Sequence, residues 1–235
     1  MTEILPADQK TTIRKAVNWL GKGDVVVFPT DTIYGIGASI AQESGIKKIF
    51  EVKSRSPNKP LIIYVADFEQ LQQVTQGIPE STIKSLRQIW PGAMSGIFPK
   101  TEIVPSFVTS GKDTVAVRIP NHPLCLELVR QVGAPLAVTS ANVSGMETQK
   151  TAPEVAAQLG ERVPLVLDGG PNPEQQPSTL VDFTESPARL LREGAWSFSK
   201  LRQAIPDLQP IPESWDLSEA AATGYENSLA LLNSK

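Results

Sequence analysis

The hydrophobic pattern of the chain alternates between short apolar runs and amphipathic segments. Continuous runs rich in valine, isoleucine and leucine predict buried strands. We expect these strands at 24–28, 61–65, 114–120, 134–142, 163–170 and 177–183. Apolar residues recurring at helical spacing predict helices between them. We expect these helices at 7–23, 43–52, 68–75, 80–89, 122–133 and 152–160. The alternation predicts an α/β fold in which helices pack on a twisted, largely buried sheet.

Capping residues and a change in composition suggest where elements and domains end. Asp8 is the expected N-cap of the first helix, and Gly21 its expected stop. Residues 1–203 are interpreted as one domain. Residues 204–235 are interpreted as a Pro-rich segment and a C-terminal tail, partly ordered or forming one weak terminal helix.

Charge is distributed unevenly over the 235 residues. The formal net charge is −3, which argues against a dedicated binder of long nucleic acids. Residues 47–59 nevertheless hold five basic residues and one acid. Such a run is either a solvated surface or a preorganised anion-binding turn, and Pro57 and Pro60 stiffen it. The start of the chain lacks the pattern of a signal peptide, no apolar run approaches membrane-spanning length, and Cys125 is the only cysteine. We therefore expect a cytoplasmic protein.

Several common kinds of site are missing from the sequence. There is no P-loop motif, and no glycine at position 40 completes a dinucleotide fingerprint with Gly35 and Gly37. A single histidine and a single cysteine exclude a conventional zinc site built from those ligands. His122 is expected to be a surface or capping residue, and Cys125 a core residue.

The remaining polar chemistry follows the predicted strands. The loops at 28–38, 139–145 and 168–182 are rich in hydroxyl, amide and glycine residues. In the first loop, Gly35 and Gly37 permit close approach of the backbone to a ligand, and short hydrogen-bonding groups are offered by Thr30, Asp31, Thr32 and Tyr34. Ligands of open α/β sheets tend to bind at strand ends, where such loops gather. Arg118 and Arg192 lie in the strand-like runs "VAVRIP" and "LLREG" and could face the same crevice. These residues alone indicate an anion-binding α/β domain for a nucleotide and a small polar substrate.

Eight motifs occur in the order and spacing of a known family. They are "PTDTIYGIG", "KSR", "NKPLIIYV", "WPGAM", "TVAVRIPNHP", "TSANVSG", "DGG" with "PSTLVD", and "LREG". Over about residues 10–203 the chain resembles the YrdC-like family, which includes the threonylcarbamoyl-AMP synthases. The resemblance implies a twisted, mixed, open sheet flanked by helices around a large positively charged cavity. Within this family, the chain resembles the short, single-domain members.

The resemblance also implies an activity. Family members condense L-threonine, bicarbonate or CO2, and ATP into L-threonylcarbamoyl-adenylate and release pyrophosphate. A threonylcarbamoyl transferase complex then modifies adenosine 37 of tRNA. Mg2+ is expected to enter with ATP rather than to occupy a protein metal site.

The same motifs imply residue roles. Catalytic roles fall on Lys53, Arg55, Ser140 and Asn142. ATP contacts fall on Arg55, Lys59, Thr114, Ser140, Thr148 and Arg192. Threonine contacts fall on Thr32, Tyr64, Arg118, Val138 and Ser178. Arg118 is placed near either the threonine carboxylate or the phosphates, and the resemblance does not separate the two.

Two departures and two alternatives accompany this interpretation. Ser95 and Gly96 stand where relatives usually carry threonine and an aliphatic residue, and Tyr64 stands where some carry histidine. One alternative is a module that binds double-stranded RNA or tRNA. The other is a sister enzyme of the same fold with a different substrate.

Overall fold

The computed structural model describes residues 1–172 and 176–211, which form one mixed sheet with helices on both faces. Its strands are β1 Glu3–Pro6, β2 Val26–Phe28, β3 Gly35–Ser39, β4 Ile62–Tyr64, β5 Met94–Pro99, β6 Thr114–Arg118, β7 Leu136–Ser140, β8 Leu165–Asp168, β9 Thr179–Asp182 and β10 Arg189–Arg192. Its helices are α1 Lys10–Gly21, α2 Glu43–Lys53, α3 Phe68–Val74, α4 Glu80–Ile89, α5 Pro123–Val132, α6 Ala152–Leu159 and α7 Phe198–Leu201. A short 3-10 turn, Gly160–Arg162, follows α6.

The sheet has the strand order β1-β8-β2-β3-β7-β4-β6-β5-β9-β10. Its parallel pairs are β1 with β8, β2 with β8, β4 with β6, and β5 with β9. Its antiparallel pairs are β2 with β3, β3 with β7, β4 with β7, β5 with β6, and β9 with β10. The predicted α/β class and the mixed, open sheet are therefore confirmed.

Both faces of the central strands are buried, as their continuous apolar sequences predict. Val25 and Val27 join one core cluster, whereas Val26 and Phe28 join the other. This alternation follows from the two-residue period of a strand. The first cluster takes the apolar faces of α2, α3, α4 and α6, and the second takes those of α1 and α5. Cys125 of α5 is buried in the second cluster, in agreement with its expected core position.

Three strands were not predicted, and β3 shows why. Residues 28–38 were expected to form a loop in which Gly35 and Gly37 let a ligand approach the backbone, but residues 35–39 form a strand between β2 and β7. A Cβ on Gly37 would come within 2.9 Å of the Phe28 ring, so this glycine allows close packing instead. β1 is a short edge strand, and serine and glycine interrupt the apolar run of β5.

Helix ends also differ in detail from the sequence pattern. The expected N-cap Asp8 does not cap α1, because the helix begins after Gln9, which makes no side-chain capping bond. Gly21 is the last residue of α1, close to the predicted stop. Pro123 occupies the first turn of α5 as expected, since an N-terminal turn needs no proline N–H.

Residues beyond the predicted domain boundary still pack on the sheet as far as residue 211. Ile205 and Leu208 are buried, and the Gln209 N–H donates to the Ala188 carbonyl at 2.9 Å. The division at residue 203 stays a prediction. The expected terminal helix or tail at 212–235 lies outside the described residues. Among the described residues, no helix combines the length and apolar character needed to cross a bilayer.

We expect Gly37→Ala to lower the free energy of unfolding by about 1–3 kcal/mol, because the added methyl overpacks the contact with Phe28. Urea unfolding measures this change. Gly21→Ala is the matched control, because a Cβ there meets nothing within 4 Å. That control should leave stability unchanged or raise it by up to about 1 kcal/mol. Equal stabilities for the two variants would contradict the packing role of Gly37.

Candidate active site

Many of the polar residues implied by the motifs lie along the centre of the sheet rather than at one edge. Tyr64 at the end of β4 pairs with Leu136 at the start of β7, because the two strands are antiparallel. Ser140 ends β7, four residues further on, which corresponds to about 13 Å of strand. The three predicted loops do meet, because the Ala141 N–H donates to the Tyr34 carbonyl at 2.8 Å and Tyr34 Oη donates to the Gly170 carbonyl at 2.8 Å. The site has two polar groups, one built around Arg118 and one around Lys53.

The first group is the Arg118 cluster, formed by Arg118, Asp31, Thr32 and Tyr64. The Arg118 side chain is almost fully buried and donates to Asp31 Oδ1 at 2.7 Å, Thr32 Oγ1 at 3.0 Å and Tyr64 Oη at 3.3 Å. Its Nε also donates to the Gly92 carbonyl at 2.9 Å. Burial alone would lower the pKa of the Arg118 guanidinium. The influence of Tyr64 and Asp31 outweighs the effect of burial, so the pKa is raised. Burial raises the pKa of Tyr64 to about 12.

Arg192 and Ser178 lie beside the Arg118 cluster. Arg192 Nη2 donates to the Ser178 carbonyl at 2.7 Å, and the Ser178 hydroxyl lies 2.8 Å from that of Ser95. Burial, followed by the positive charge of Arg118, lowers the pKa of Arg192 to about 10. The two guanidinium groups are therefore close enough for the charge of one to affect the other.

The second group is the Lys53 cluster, formed by Lys53, Ser140 and Asn142. Lys53 is 0% exposed, and its ammonium donates to the carbonyls of Ser140 at 2.5 Å and Asn142 at 2.6 Å, and to Asn142 Oδ1 at 3.0 Å. Ser140 Oγ donates to the same Asn142 Oδ1 at 2.5 Å. Burial, together with the charge of Arg55, lowers the pKa of Lys53 to about 7. The structure thus joins the lysine of the "KSR" motif to the loop of the "TSANVSG" motif.

Arg55 organises the positive turn that follows α2. Ser54 ends the helix in the left-handed conformation, with φ of 50°, and turns the chain. Arg55 Nε then donates to the Lys59 carbonyl at 3.1 Å, and its Nη2 donates to the Pro60 carbonyl at 2.9 Å. The guanidinium is buried inside the turn, so the segment is held from within as well as by its prolines.

The other residues implied by the motifs surround these groups less directly. Lys59, Thr114 and Thr148 are half-buried, and the hydrogen bonds of the two clusters do not include them. Val138 is buried in the second core cluster. His122 occupies the N-cap position of α5 as expected, but its side chain makes no capping bond, and burial lowers its pKa.

Two functional-site features were missed by sequence reasoning. Asp31 was noted only as a hydrogen-bonding group, yet it forms the ion pair with Arg118. Tyr34 donates to the Gly170 carbonyl at 2.8 Å and so ties the loop at 29–34 to the loop after β8. Two sequence signals were available. One is an aspartate flanked by two threonines, and the other is a tyrosine immediately before a strand.

Comparison with known proteins identifies the family. The model of the Sua5–YciO–YrdC family, described as telomere recombination, matches residues 18–194. The chain belongs to this family. It is 37% identical over 219 residues to a threonylcarbamoyl-AMP synthase of Pyrococcus abyssi, covering 92% of this chain and 64% of that protein. It is 38% identical over 194 residues to that of Bacillus subtilis, covering 82% and 56%.

A solved family structure supports the same fold. The P. abyssi Sua5 crystal structure in complex with L-threonine superimposes with a TM-score of 0.86 at 37% identity, over 90% of this chain and 63% of that chain. This chain thus spans about three fifths of the length of these relatives. The match establishes the fold and the family of the chain that carries the two polar groups.

We expect the stability of the protein to rise, relative to a Lys53→Met variant, as pH increases from about 7 towards 10.5. The folded-state pKa of Lys53 is about 7 and its ordinary value is 10.5. Between those values the unfolded chain binds a proton that the folded chain has released, so rising pH favours the folded state. Urea unfolding of both proteins at about pH 7 and about pH 9 measures the difference.

The matched control for this experiment is Lys47→Met, on the exposed side of α2. Glu43 raises the pKa of Lys47, so its ammonium stays charged through the range and should add no pH dependence. Parallel pH profiles for the wild type and Lys53→Met would contradict a depressed pKa at Lys53.

Proposed function

We propose that this protein forms L-threonylcarbamoyl-adenylate from L-threonine, bicarbonate or CO2, and ATP, with release of pyrophosphate. The observation that carries the proposal is a set of buried cations, Arg118, Arg192, Lys53 and Arg55, held in and beside two polar groups. Such cations suit the carboxylate of an amino acid and the phosphates of a nucleotide. The relatives named threonylcarbamoyl-AMP synthase support the same reaction.

Threonine is assigned to the Arg118 cluster. Arg118 has five N–H groups. Four hydrogen bonds to described residues use four of them, which leaves one for a substrate carboxylate. Thr32, Tyr64 and Ser178 provide hydroxyls of a size suited to a small polar side chain, and Val138 provides an apolar surface. The likeness to a family structure solved with L-threonine supports this assignment.

ATP is assigned to the region between the Lys53 cluster and Arg192. Arg55, Lys59 and Arg192 supply positive charge, while Ser140, Thr114 and Thr148 supply hydroxyls. The ammonium of Lys53 already donates to three oxygens of the loop. We therefore assign Lys53 to positioning the Ser140–Asn142 segment, so that it acts on the phosphates through that loop and through its charge.

The chemistry needs positioning and charge neutralisation more than covalent participation by the protein. The threonine amine captures CO2 to form a carbamate, and a carbamate oxygen attacks the α-phosphorus of ATP in line with the departing pyrophosphate. Fixed cations around the phosphates stabilise the charge that develops in that transition state. Within residues 1–172 and 176–211 no three His, Cys, Asp or Glu side chains converge on a metal site. Mg2+ is assigned to the triphosphate that it accompanies.

The product has a defined chemical fate in this proposal. A mixed anhydride of a carbamate and AMP is reactive, so a partner enzyme must accept it promptly. We assign that step to a threonylcarbamoyl transferase complex that modifies adenosine 37 of tRNA in the cytoplasm.

Pyrophosphate release tests the proposed reaction. We expect release to require ATP, bicarbonate and L-threonine together, with serine and alanine as control amino acids. Arg55→Ala should lower turnover by about 100-fold or more, because it removes a fixed cation from the phosphate region. Lys47→Ala, in the same basic run but exposed and paired with Glu43, is the matched control and should retain full turnover.

The outcomes separate the alternatives. Thermal unfolding is measured in parallel, because Arg55 also holds its turn through Lys59 and Pro60. Pyrophosphate release without a threonine requirement would favour a sister enzyme. No turnover, together with RNA binding that weakens steeply with salt, would favour an RNA-binding module.

A further inference from the structure

Asp31 is held in a fixed position by the residues on either side of it. Thr30 Oγ1 accepts the Thr32 N–H at 3.0 Å and donates to the Ile33 carbonyl at 2.7 Å, which closes the loop around Asp31. Asn172 Nδ2 donates to the Thr30 carbonyl at 3.1 Å and fixes the loop from outside. The backbone around Asp31 is therefore fixed by the loop, and the ion pair with Arg118 orients its carboxylate.

The ion pair engages only part of that carboxylate. Asp31 Oδ1 accepts from Arg118 Nη2 at 2.7 Å. Asp31 Oδ2 has no hydrogen-bond or ion-pair partner among residues 1–172 and 176–211. The Asp31 side chain is 14% exposed, against 2% for Arg118, so the carboxylate lies on the more accessible side of the pair. A carboxylate oxygen is thus available to accept a hydrogen bond beside a buried guanidinium.

Without Asp31, the buried guanidinium groups near this oxygen would suit the carboxylate of an amino acid but not its ammonium group. Arg118 and Arg192 are both buried and close enough for the charge of one to perturb the other. Two guanidinium groups attract the carboxylate of a free amino acid but repel its ammonium. A carboxylate adjoining one guanidinium matches the opposite charges that an α-amino acid carries on neighbouring atoms.

We propose that Asp31 Oδ2 accepts the ammonium group of the amino-acid substrate while Arg118 binds its carboxylate. Asp31 is then a specificity-determining residue, which selects an α-amino acid over an α-hydroxy acid of the same shape. The inference rests on the proposed function, since it names the part of the substrate that Asp31 recognises.

Isothermal titration calorimetry with two ligands tests the inference. The ligands are L-threonine and the 2,3-dihydroxybutanoate of matching configuration, which replaces the amine by a hydroxyl. The wild type should prefer threonine by about 10- to 100-fold, the range expected for a hydrogen bond to a charged group. In Asp31→Asn this preference should fall to about threefold or less. Asp24→Asn, which removes a carboxylate paired with Lys48 elsewhere, should retain the wild-type preference.

Equal weakening of both ligands in Asp31→Asn would overturn the inference, because Asp31 would then serve only as the counterion of Arg118. Failure of the wild type to bind threonine would instead overturn the proposed function, and this inference with it. Asp31→Glu guards against loss of folding, since it keeps a counterion for Arg118. It should still prefer threonine by about tenfold, and a folded Asp31→Glu protein with equal affinity for the two ligands would also overturn the inference.

Discussion

The burial of the Lys53 ammonium against the Ser140–Asn142 segment is the interaction on which the rest of the candidate site depends. A fully buried charge costs several kcal/mol unless it is satisfied, and here carbonyl and amide oxygens provide the acceptors. The backbone joins the same segments, because the Ser144 N–H donates to the Lys53 carbonyl at 2.8 Å. The loop after β7 cannot move away without leaving an ammonium unpaired, so α2 and this loop behave as one unit.

The same principle holds the other parts of the site in place. Arg55 fixes its turn through backbone carbonyls, and Tyr34 fixes the loop before β3 to the loop after β8. Burial, and then the positive charge of Arg118, lowers the pKa of Arg192, so these two guanidinium groups repel each other. An anion bound between them would offset that repulsion. The site therefore holds its buried cations in fixed positions, and such preorganisation favours anion binding.

The sequence predicted those parts of the molecule whose signal is local. The strands at Val26–Phe28 and Leu165–Asp168 are continuous apolar runs buried on both faces, so their pattern was sufficient. β3 was missed because two glycines carry no side chain from which a two-residue period could be recognised. The pairing of Lys53 with Ser140 joins positions 87 residues apart, and only the family resemblance brought them together in advance. The Asp31–Arg118 pair also spans 87 residues, and the family resemblance did not predict it.

The basic run at 47–59 has two different faces, and the difference bears on what the protein binds. Lys47 pairs with Glu43 at 2.8 Å and Lys48 with Asp24 at 2.6 Å, so these outward charges are locally neutralised. Lys53 and Arg55 are buried and directed into the structure. A nucleic-acid surface needs exposed, unneutralised cations along a broad face. Cations that are neutralised outside and buried inside suit a small anion enclosed by the loops. The geometry of this run therefore favours a nucleotide over a long RNA as the ligand of the positive turn.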